Sequence, residues 1–265
     1  SPRTAAPVRA ARAAFECVAE SLTLPFDEAI RRERAVFFEL VASPESRALR
    51  HVFFAEREAQ KAGELKKGTT MRAIRSVGVI GFGTMGSGIS MAFANAGIPA
   101  TAIDETQEAV DRGLARVRST YEEALGKGRI SAEECASRIA GVRGSTDYRD
   151  LAAVDLVIEA VFEEMDLKHK VFAKLDEVCS DKAILATNTS SLDVNEIAEE
   201  TKDPSRVLGL HFFSPANIMK LVEVVRPATV SANVLSSSLD VVKRIGKIGV
   251  VVGVCDGFVG NRMLY

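Results

Sequence analysis

The chain has 265 residues, of which 47% are hydrophobic, and this composition allows one large or two modest globular domains. A formal net charge of -2, with no Trp and three Tyr, provides neither the basic excess nor the aromatic platforms of a nucleic-acid-binding protein. We expect no membrane insertion, because no run of 18 apolar residues occurs. We also expect no zinc site or disulfide scaffold, because the four cysteines are widely spaced: Cys17, Cys135, Cys179 and Cys255.

The first seventy residues predict a helical segment. Apolar residues recur there at helical spacing, as at Leu40 and again at Leu49 and Phe53, and Ser43-Pro44 interrupts the pattern. Residues 61–75 lose this periodicity and gain charge and glycine, which is typical of a linker. A domain boundary is therefore predicted near residue 70.

After Ile74 the pattern changes to short apolar runs that alternate with helical stretches. Residues 77–80 and 100–103 predict two strands around a helix from Met85 to Ala96, which is a β-α-β opening. A charged helical stretch at 106–140 precedes further predicted strands at 156–158, 183–186, 207–213, 221–225 and 250–254. This order predicts an α/β fold with a Rossmann-type doubly wound sheet, preceded by the helical segment.

A glycine-rich turn follows the first predicted strand. Gly81-Phe82-Gly83-Thr84-Met85-Gly86 matches G-x-G-x-x-G between a strand and a helix, which is the context that a dinucleotide fingerprint requires. In that motif the first glycine permits the tight turn, the second lets the backbone approach a diphosphate, and the third allows close helix packing. Outside this context, a purely structural turn is an equally good interpretation.

An acidic residue stands where a ribose would be bound. Asp104 ends the second predicted strand, 104 − 86 = 18 residues after Gly86, close to the spacing of about 20 at which an acid meets the ribose hydroxyls. Glu105 adds a second negative charge, which would repel the 2′-phosphate of NADP. We therefore expect NAD as cofactor, although Asp104 could instead serve as a helix N-cap.

One of the three histidines interrupts an apolar strand. His51 and His169 lie in charged helical stretches and are expected at the surface, whereas His211 lies in the run 207–213. If the runs around Asn217 form a hairpin, His211 faces Glu223, and the carboxylate would orient the imidazole and stabilise its protonated form. A general base and a purely structural buried pair are equally compatible with this spacing.

Four motifs in order resemble the 3-hydroxyacyl-CoA dehydrogenases: GFGTMG at 81–86, TNTSSL at 187–192, LHFFSPANIMKLVEVV at 210–225 and CDGFVGNRM at 255–263. The resemblance covers about residues 72–265. Ser214, where monofunctional enzymes of the family usually have Asn, is more similar to multifunctional enzymes that fuse an enoyl-CoA hydratase/isomerase domain to the dehydrogenase. Residues 43–57 resemble the helix that closes such a hydratase domain.

The resemblance implies roles for individual residues. His211 would be the catalytic base and Glu223 its orienting partner, while Ser190 and Asn261 would contact the substrate oxygen region. As alternatives, Ser190 could be a helix N-cap and Asn261 a turn residue. Glu163 and Lys168 match family positions near the nicotinamide ribose, and a helical surface run would give the same pattern.

Three parts follow from the pattern and the resemblance together: a helical hydratase-derived segment with its linker at 1–71, an NAD-binding domain at 72–255, and the start of a truncated C-terminal helical domain at 256–265. The implied activity is NAD-dependent oxidation of (S)-3-hydroxyacyl-CoA in fatty-acid β-oxidation, beside a hydratase domain of the same full-length chain. An NAD-binding fragment without turnover and a related hydroxyacid dehydrogenase are the alternatives. The expected compartment is the cytoplasm of a bacterium, or the peroxisome if the source is eukaryotic.

Overall fold

The computed structural model describes residues 9–59 and 69–263. The chain divides into two compact units, residues 1–58 and residues 59–265. The linker predicted at 61–75 lies mostly outside the described residues. In the described part of the chain, no helix combines the length and apolarity needed to cross a membrane.

The N-terminal unit is helical, as predicted. Its helices are α1 (Arg9–Glu20), α2 (Phe26–Ala42) and α3 (Pro44–Ala59). Ser43 ends α2 with an extended backbone, and Pro44 begins α3, where its missing N–H is tolerated. None of the residues within these helices is buried, and large apolar side chains such as Phe15 and Leu22 are exposed.

The second unit contains one mostly parallel sheet. Its described strands are β1 (Val77–Ile80), β2 (Ala100–Ile103), β3 (Val142–Ser145), β4 (Leu156–Glu159), β5 (Ile184–Thr187), β6 (Val207–Phe212), β7 (Leu221–Arg226) and β8 (Ile248–Gly253). Their order is β3-β2-β1-β4-β5-β6-β7-β8, and only the β6–β7 pair is antiparallel. The predicted Rossmann-type fold is confirmed, and the strand order reverses between β1 and β4, where ligands bind in such sheets.

Helices connect the strands and cover the sheet. They are α4 (Thr84–Asn95), α5 (Gln107–Gly126), α6 (Ala132–Ala140), α7 (Met165–Val178), α8 (Val194–Glu199) and α9 (Ala232–Arg244), with short 3₁₀ turns at Tyr148–Leu151, Pro204–Arg206 and Asn261–Met263. Apolar side chains on the two faces of the sheet form two large buried clusters. Because β1, β4 and β5 are buried on both faces, their sequences are mostly apolar rather than alternating, and the polar residues Glu159 and Thr187 come only at the ends of β4 and β5.

Two expectations from the sequence need correction. The single helical stretch predicted at 106–140 is two helices, because Gly128 adopts a φ of 65° and Ser131 starts α6 with a capping box. Strand β3 was not predicted, because Val142-Arg143-Gly144-Ser145 is not an apolar run. It pairs with β2 alone and forms the edge of the sheet, where partial exposure to solvent allows polar residues.

Candidate active site

The glycine-rich turn connects β1 to α4 at the carboxyl edge of the sheet. Gly81 has a φ of 87°, and a Cβ there would lie 2.7 Å from the carbonyl oxygen of Ala160. A Cβ at Gly86 would lie 1.8 Å from the carbonyl oxygen of Gly81, so the helix approaches the strand as closely as glycine allows. At Gly83 the same test meets nothing within 4 Å.

Open space at Gly83 adjoins the first turn of α4. Gly83 is the N-cap of this helix and provides no side-chain hydrogen bond, and the next residues are exposed Thr84 and half-buried Met85. The first N–H groups of a helix lack intrahelical partners and attract anions. The turn therefore fits the diphosphate of a dinucleotide, which a Cβ at position 83 would obstruct.

Asp104 connects the second strand to this turn. Its Oδ2 accepts a hydrogen bond of 2.8 Å from the main-chain N–H of Phe82, and its Oδ1 accepts one of 2.8 Å from the N–H of Glu105. The alternative role as an N-cap is wrong, because Thr106 caps α5 by accepting from the N–H of Ala109. The acid thus lies beside the glycine turn, as a ribose-binding residue would, and Glu105 is exposed next to it.

The hairpin of β6 and β7 brings His211 opposite Glu223, as the spacing predicts. His211 Nδ1 and Glu223 Oε2 are 2.8 Å apart, and both side chains are buried. Glu223 Oε1 accepts further hydrogen bonds from the N–H groups of Val259 and Gly260, at 3.0 and 2.8 Å. These bonds hold the carboxylate in place and assign the ring proton to Nδ1, so that Nε2 is available as a proton acceptor.

Aromatic rings surround the imidazole. The ring of Phe213 lies 4.5 Å from that of His211, and the fully buried ring of Phe258 lies 5.9 Å away, measured between centroids. An apolar surround limits the access of water and strengthens the interaction of His211 with Glu223. Ser214, next to this group, is exposed.

Ser190 and Asn261 are close together. Asn261, in the last 3₁₀ turn, donates from Nδ2 to the carbonyl oxygen of Ser190 at 3.3 Å. Ser190 is not the N-cap of α8, because that position belongs to Asp193, which accepts from the N–H of Asn195. The structure therefore removes the alternative role of Ser190, while the turn position of Asn261 is compatible with both interpretations.

Glu163 anchors the Ser190 turn. Its Oε1 accepts hydrogen bonds from Thr189 Oγ1 at 2.5 Å, from the N–H of Ser190 at 2.8 Å and from Ser190 Oγ at 3.2 Å. Burial raises the pKa of Glu163, but the hydrogen bonds from Thr189 and Ser190, together with nearby Lys168, outweigh burial and hold the pKa below its ordinary value. Glu163 is therefore an anion at the carboxyl edge of the sheet.

Lys168 does not belong to an exposed helical run. Its side chain is 1% exposed, and its Nζ lies 2.8 Å from Glu159 Oε1 and 3.3 Å from Glu163 Oε2. The surface interpretation of this segment is therefore wrong for Lys168. One feature of the sequence does indicate a buried charge here, namely an acid, Glu159, directly after the apolar run 156–158.

Asn188 lies next to the candidate site, and the sequence patterns do not single it out. Its Oδ1 accepts a hydrogen bond of 2.8 Å from the main-chain N–H of Phe212, the residue after His211. This bond connects the end of β5 to the end of β6 beside the imidazole. The motif at 187–192 contains Asn188, but spacing along the chain does not reveal its partner.

The remaining histidines differ from each other. His51 is exposed, as expected, whereas His169 is only partly exposed and lies 3.6 Å from Glu196 and 3.5 Å from Glu200. His169 therefore lies only partly at the surface, because its Nε2 is buried. Within residues 9–59 and 69–263, no group of three or more His, Cys, Asp or Glu side chains could hold a metal ion.

Comparisons with known proteins show the family of this chain. Residues 76–255 match the family described as "3-hydroxyacyl-CoA dehydrogenase, NAD binding domain". The chain is 44% identical over 253 residues to a peroxisomal bifunctional enzyme of Cavia porcellus, covering 93% of this chain and 34% of the relative. It is 40% identical over 237 residues to the Arabidopsis thaliana peroxisomal fatty acid beta-oxidation multifunctional protein MFP2, covering 89% of this chain and 33% of that protein. The chain thus spans about a third of the length of these relatives.

Solved structures give the same family. (S)-3-Hydroxybutyryl-CoA dehydrogenase PaaH1 from Ralstonia eutropha superposes with a TM-score of 0.71 and 38% identity, covering 72% of this chain and 68% of that one. The dehydrogenase part of multifunctional enzyme 1 from C. elegans superposes with a TM-score of 0.66 and 29% identity, covering 76% and 48%. The chain therefore belongs to the 3-hydroxyacyl-CoA dehydrogenases, a family of NAD-dependent oxidoreductases, and residues 76–255 are its NAD-binding domain.

Proposed function

We propose that this chain oxidises (S)-3-hydroxyacyl-CoA to 3-ketoacyl-CoA with NAD, as a step of fatty-acid β-oxidation. The observation that carries the proposal is the buried His211–Glu223 pair, with a separation of 2.8 Å between Nδ1 and Oε2. This pair lies on two strands of the sheet whose carboxyl edge carries a glycine turn that fits a dinucleotide. Oxidation of an alcohol uses both features, because the hydroxyl proton needs a base and the hydride from the carbon needs a bound dinucleotide as acceptor.

His211 acts as the general base. Its Nε2 takes the proton of the substrate 3-hydroxyl group, and the resulting imidazolium is stabilised by Glu223. Glu223 keeps its position during this change because the N–H groups of Val259 and Gly260 bind its second oxygen. Bound NAD supplies the acceptor for the hydride that leaves C3.

Ser190 and Asn261 position the substrate oxygen. The side-chain amide of Asn261 contacts the main-chain carbonyl of Ser190, and each of the two side chains has a polar group that can bind the hydroxyl of the substrate or the ketone of the product. Ser190 Oγ donates to Glu163 here and has a single proton to donate. Binding of substrate by this hydroxyl therefore requires it to rotate away from Glu163 or to accept a hydrogen bond.

The cofactor contacts follow the carboxyl edge of the sheet. The main chain of Gly81, Gly83, Thr84, Met85 and Gly86 holds the diphosphate, and Asp104 binds the adenosine ribose hydroxyls. The charges of Asp104 and Glu105 favour NAD over NADP. Glu163, whose side chain is 38% exposed, would bind the nicotinamide ribose. Buried Lys168 pairs with Glu163 and would hold its carboxylate in place.

We further propose that the chain is the dehydrogenase part of a multifunctional enzyme. The relatives named above are called bifunctional or multifunctional, and the match extends into the helical N-terminal unit. The partner is then a hydratase domain of the same full-length chain, with the helices before residue 71 at its end and residues 256–265 at the start of a helical domain. The relatives are peroxisomal, so a eukaryotic source would place this protein in peroxisomes, and a bacterial source in the cytoplasm.

A paired assay on this chain tests the proposal. NAD affinity is measured by calorimetry, and the oxidation of (S)-3-hydroxybutyryl-CoA by NAD is measured in the same preparation beside the oxidation of the free 3-hydroxyacid. Turnover of the acyl-CoA alone supports the proposal. Binding of NAD without turnover supports an NAD-binding fragment, which the partial coverage of the relatives makes the second candidate, and faster turnover of the free acid would overturn the substrate class.

A further inference from the structure

A buried carboxylate that the proposed mechanism does not use lies behind the site. Glu159, at the carboxyl end of β4, has no exposed surface. Its Oε1 accepts hydrogen bonds from Lys168 Nζ at 2.8 Å and from the N–H of Val161 at 2.7 Å, and its Oε2 accepts from Thr187 Oγ1 at 2.7 Å. Three donors therefore hold one buried anion in place.

The contact with Thr187 reaches the turn after β5 directly. Glu159 and Thr187 are partners in the register of neighbouring parallel strands, and Thr187 Oγ1 accepts the main-chain N–H of Thr189 at 3.1 Å. The main-chain carbonyl of Glu159 also accepts the N–H of Asn188 at 2.8 Å. Glu159 thus fixes the first residues of the turn that carries Ser190.

The contact with Lys168 reaches the same turn from the other side. Lys168 bridges Glu159 and Glu163, and Glu163 binds both the N–H and the hydroxyl of Ser190. A buried ion pair adds little net stability on average compared with apolar residues of similar volume. We therefore expect the ion pair between the sheet and the Ser190 turn to orient this turn rather than to add stability.

We propose that Glu159 is a positioning residue for the oxidation, and that it acts through Thr187 and through Lys168 and Glu163 to hold Ser190 where the substrate oxygen binds. The proposal rests on the proposed function, because it assigns the geometry of Ser190 to that reaction. Glu159 itself touches neither substrate nor cofactor. Misplacement of a contacting group by about 1 Å can reduce a rate by about 100-fold, so a group that fixes Ser190 affects kcat.

The test separates positioning from charge balance with a double variant of the full chain. Glu159→Gln alone leaves Lys168 with a single, partly exposed partner, so a loss of activity could reflect instability. Glu159→Gln combined with Lys168→Met removes both charges. We expect a thermal midpoint near that of the wild type and a kcat lowered by about tenfold or more. The KM for NAD is not a criterion for this variant, because Lys168 pairs with Glu163 at the proposed nicotinamide ribose site.

Amide hydrogen exchange gives a readout that is independent of turnover. The N–H groups of Thr189 and Ser190 should exchange faster in the double variant, because both lose the network that orders their acceptors. If the double variant does not fold, Thr187→Val replaces it. That variant removes the hydroxyl contact alone, and the same fall in kcat and faster exchange at Thr189 are expected.

Asp176 and Arg206 provide a matched control. They form a largely buried pair, 2.7 Å apart, at the end of α7 and before the start of β6, away from the carboxyl edge of the sheet. Asp176→Asn with Arg206→Met should leave kcat unchanged. A double variant at Glu159 and Lys168 with kcat within about twofold of the wild type and unchanged exchange would overturn the positioning role. A wild type that binds NAD without oxidising acyl-CoA would instead defeat the proposed function, and the exchange comparison would still test Glu159.

Discussion

Two glycines of the turn should respond differently to replacement by alanine: the added methyl group should destabilise the fold at Gly86 and weaken cofactor binding at Gly83. Gly86→Ala places a Cβ 1.8 Å from the carbonyl oxygen of Gly81 and 2.9 Å from its carbon. Both are backbone atoms and cannot rotate away. The cost should reach the upper end of overpacking, about 3 kcal/mol or more. For a unit of this size, that corresponds to a fall of about 6–12 °C in Tm.

Gly83→Ala should behave in the opposite way. Nothing lies within 4 Å of its Cβ, and its φ of -70° suits alanine. Replacing the N-cap glycine by alanine should destabilise the folded state by a few tenths of a kcal/mol or more. The lower entropy of the unfolded chain should offset this by about 0.4–1 kcal/mol, so Tm should change little. The methyl group occupies the proposed diphosphate space, so NAD should bind at least about tenfold more weakly, a loss of about 1.4 kcal/mol.

Calorimetry with NAD and thermal unfolding should be measured on both variants and on Gly126→Ala. Gly126 lies at the end of α5 with open space around its Cβ, so alanine there should leave NAD binding unchanged. Wild-type NAD affinity in Gly83→Ala would refute the placement of the diphosphate. A stable Gly86→Ala with normal NAD binding would refute the close packing of α4 on β1.

The other predictions concern the catalytic pair, the cofactor and the thiols. Glu223→Gln should lower kcat less than His211→Gln, and the double variant should be scarcely slower than His211→Gln, because the carboxylate acts through the imidazole; additive losses would indicate two independent roles. NAD should bind much more tightly than NADP, and Asp104→Asn should narrow the difference, as titration with both dinucleotides would measure. Exposed Cys255 should react early with a thiol reagent, whereas buried Cys179, whose pKa burial raises to about 11, should react only on unfolding; equal rates in the folded protein would disprove this.

The sequence was most informative where a pattern is local. Short apolar runs located β1 and β2 to the residue, and the antiparallel hairpin allowed its register to be read by counting from Asn217. In such a hairpin, the turn determines which residues face each other. His211 and Glu223 could therefore be paired from their spacing along the chain alone.

The sequence was least informative where a contact depends on parallel register. Glu159 meets Thr187 because β4 and β5 lie side by side, and α7 connects them over a crossover whose length does not set the register. Lys168 lies in a charged helical stretch that is typical of a surface, and its burial depends on those same neighbours. Edge strand β3 was missed because its pairing with β2, and not an apolar pattern, makes it a strand.

The most direct test of the central claim is the rate at which (S)-3-hydroxybutyryl-CoA reduces NAD in the wild type and in His211→Gln, with NAD affinity measured on the same samples. The claim predicts that kcat falls by about 100- to 10,000-fold, the range ascribed to general acid–base catalysis, while the Kd for NAD stays nearly unchanged. A His211→Gln variant that folds, binds NAD and oxidises the acyl-CoA at the wild-type rate would contradict it.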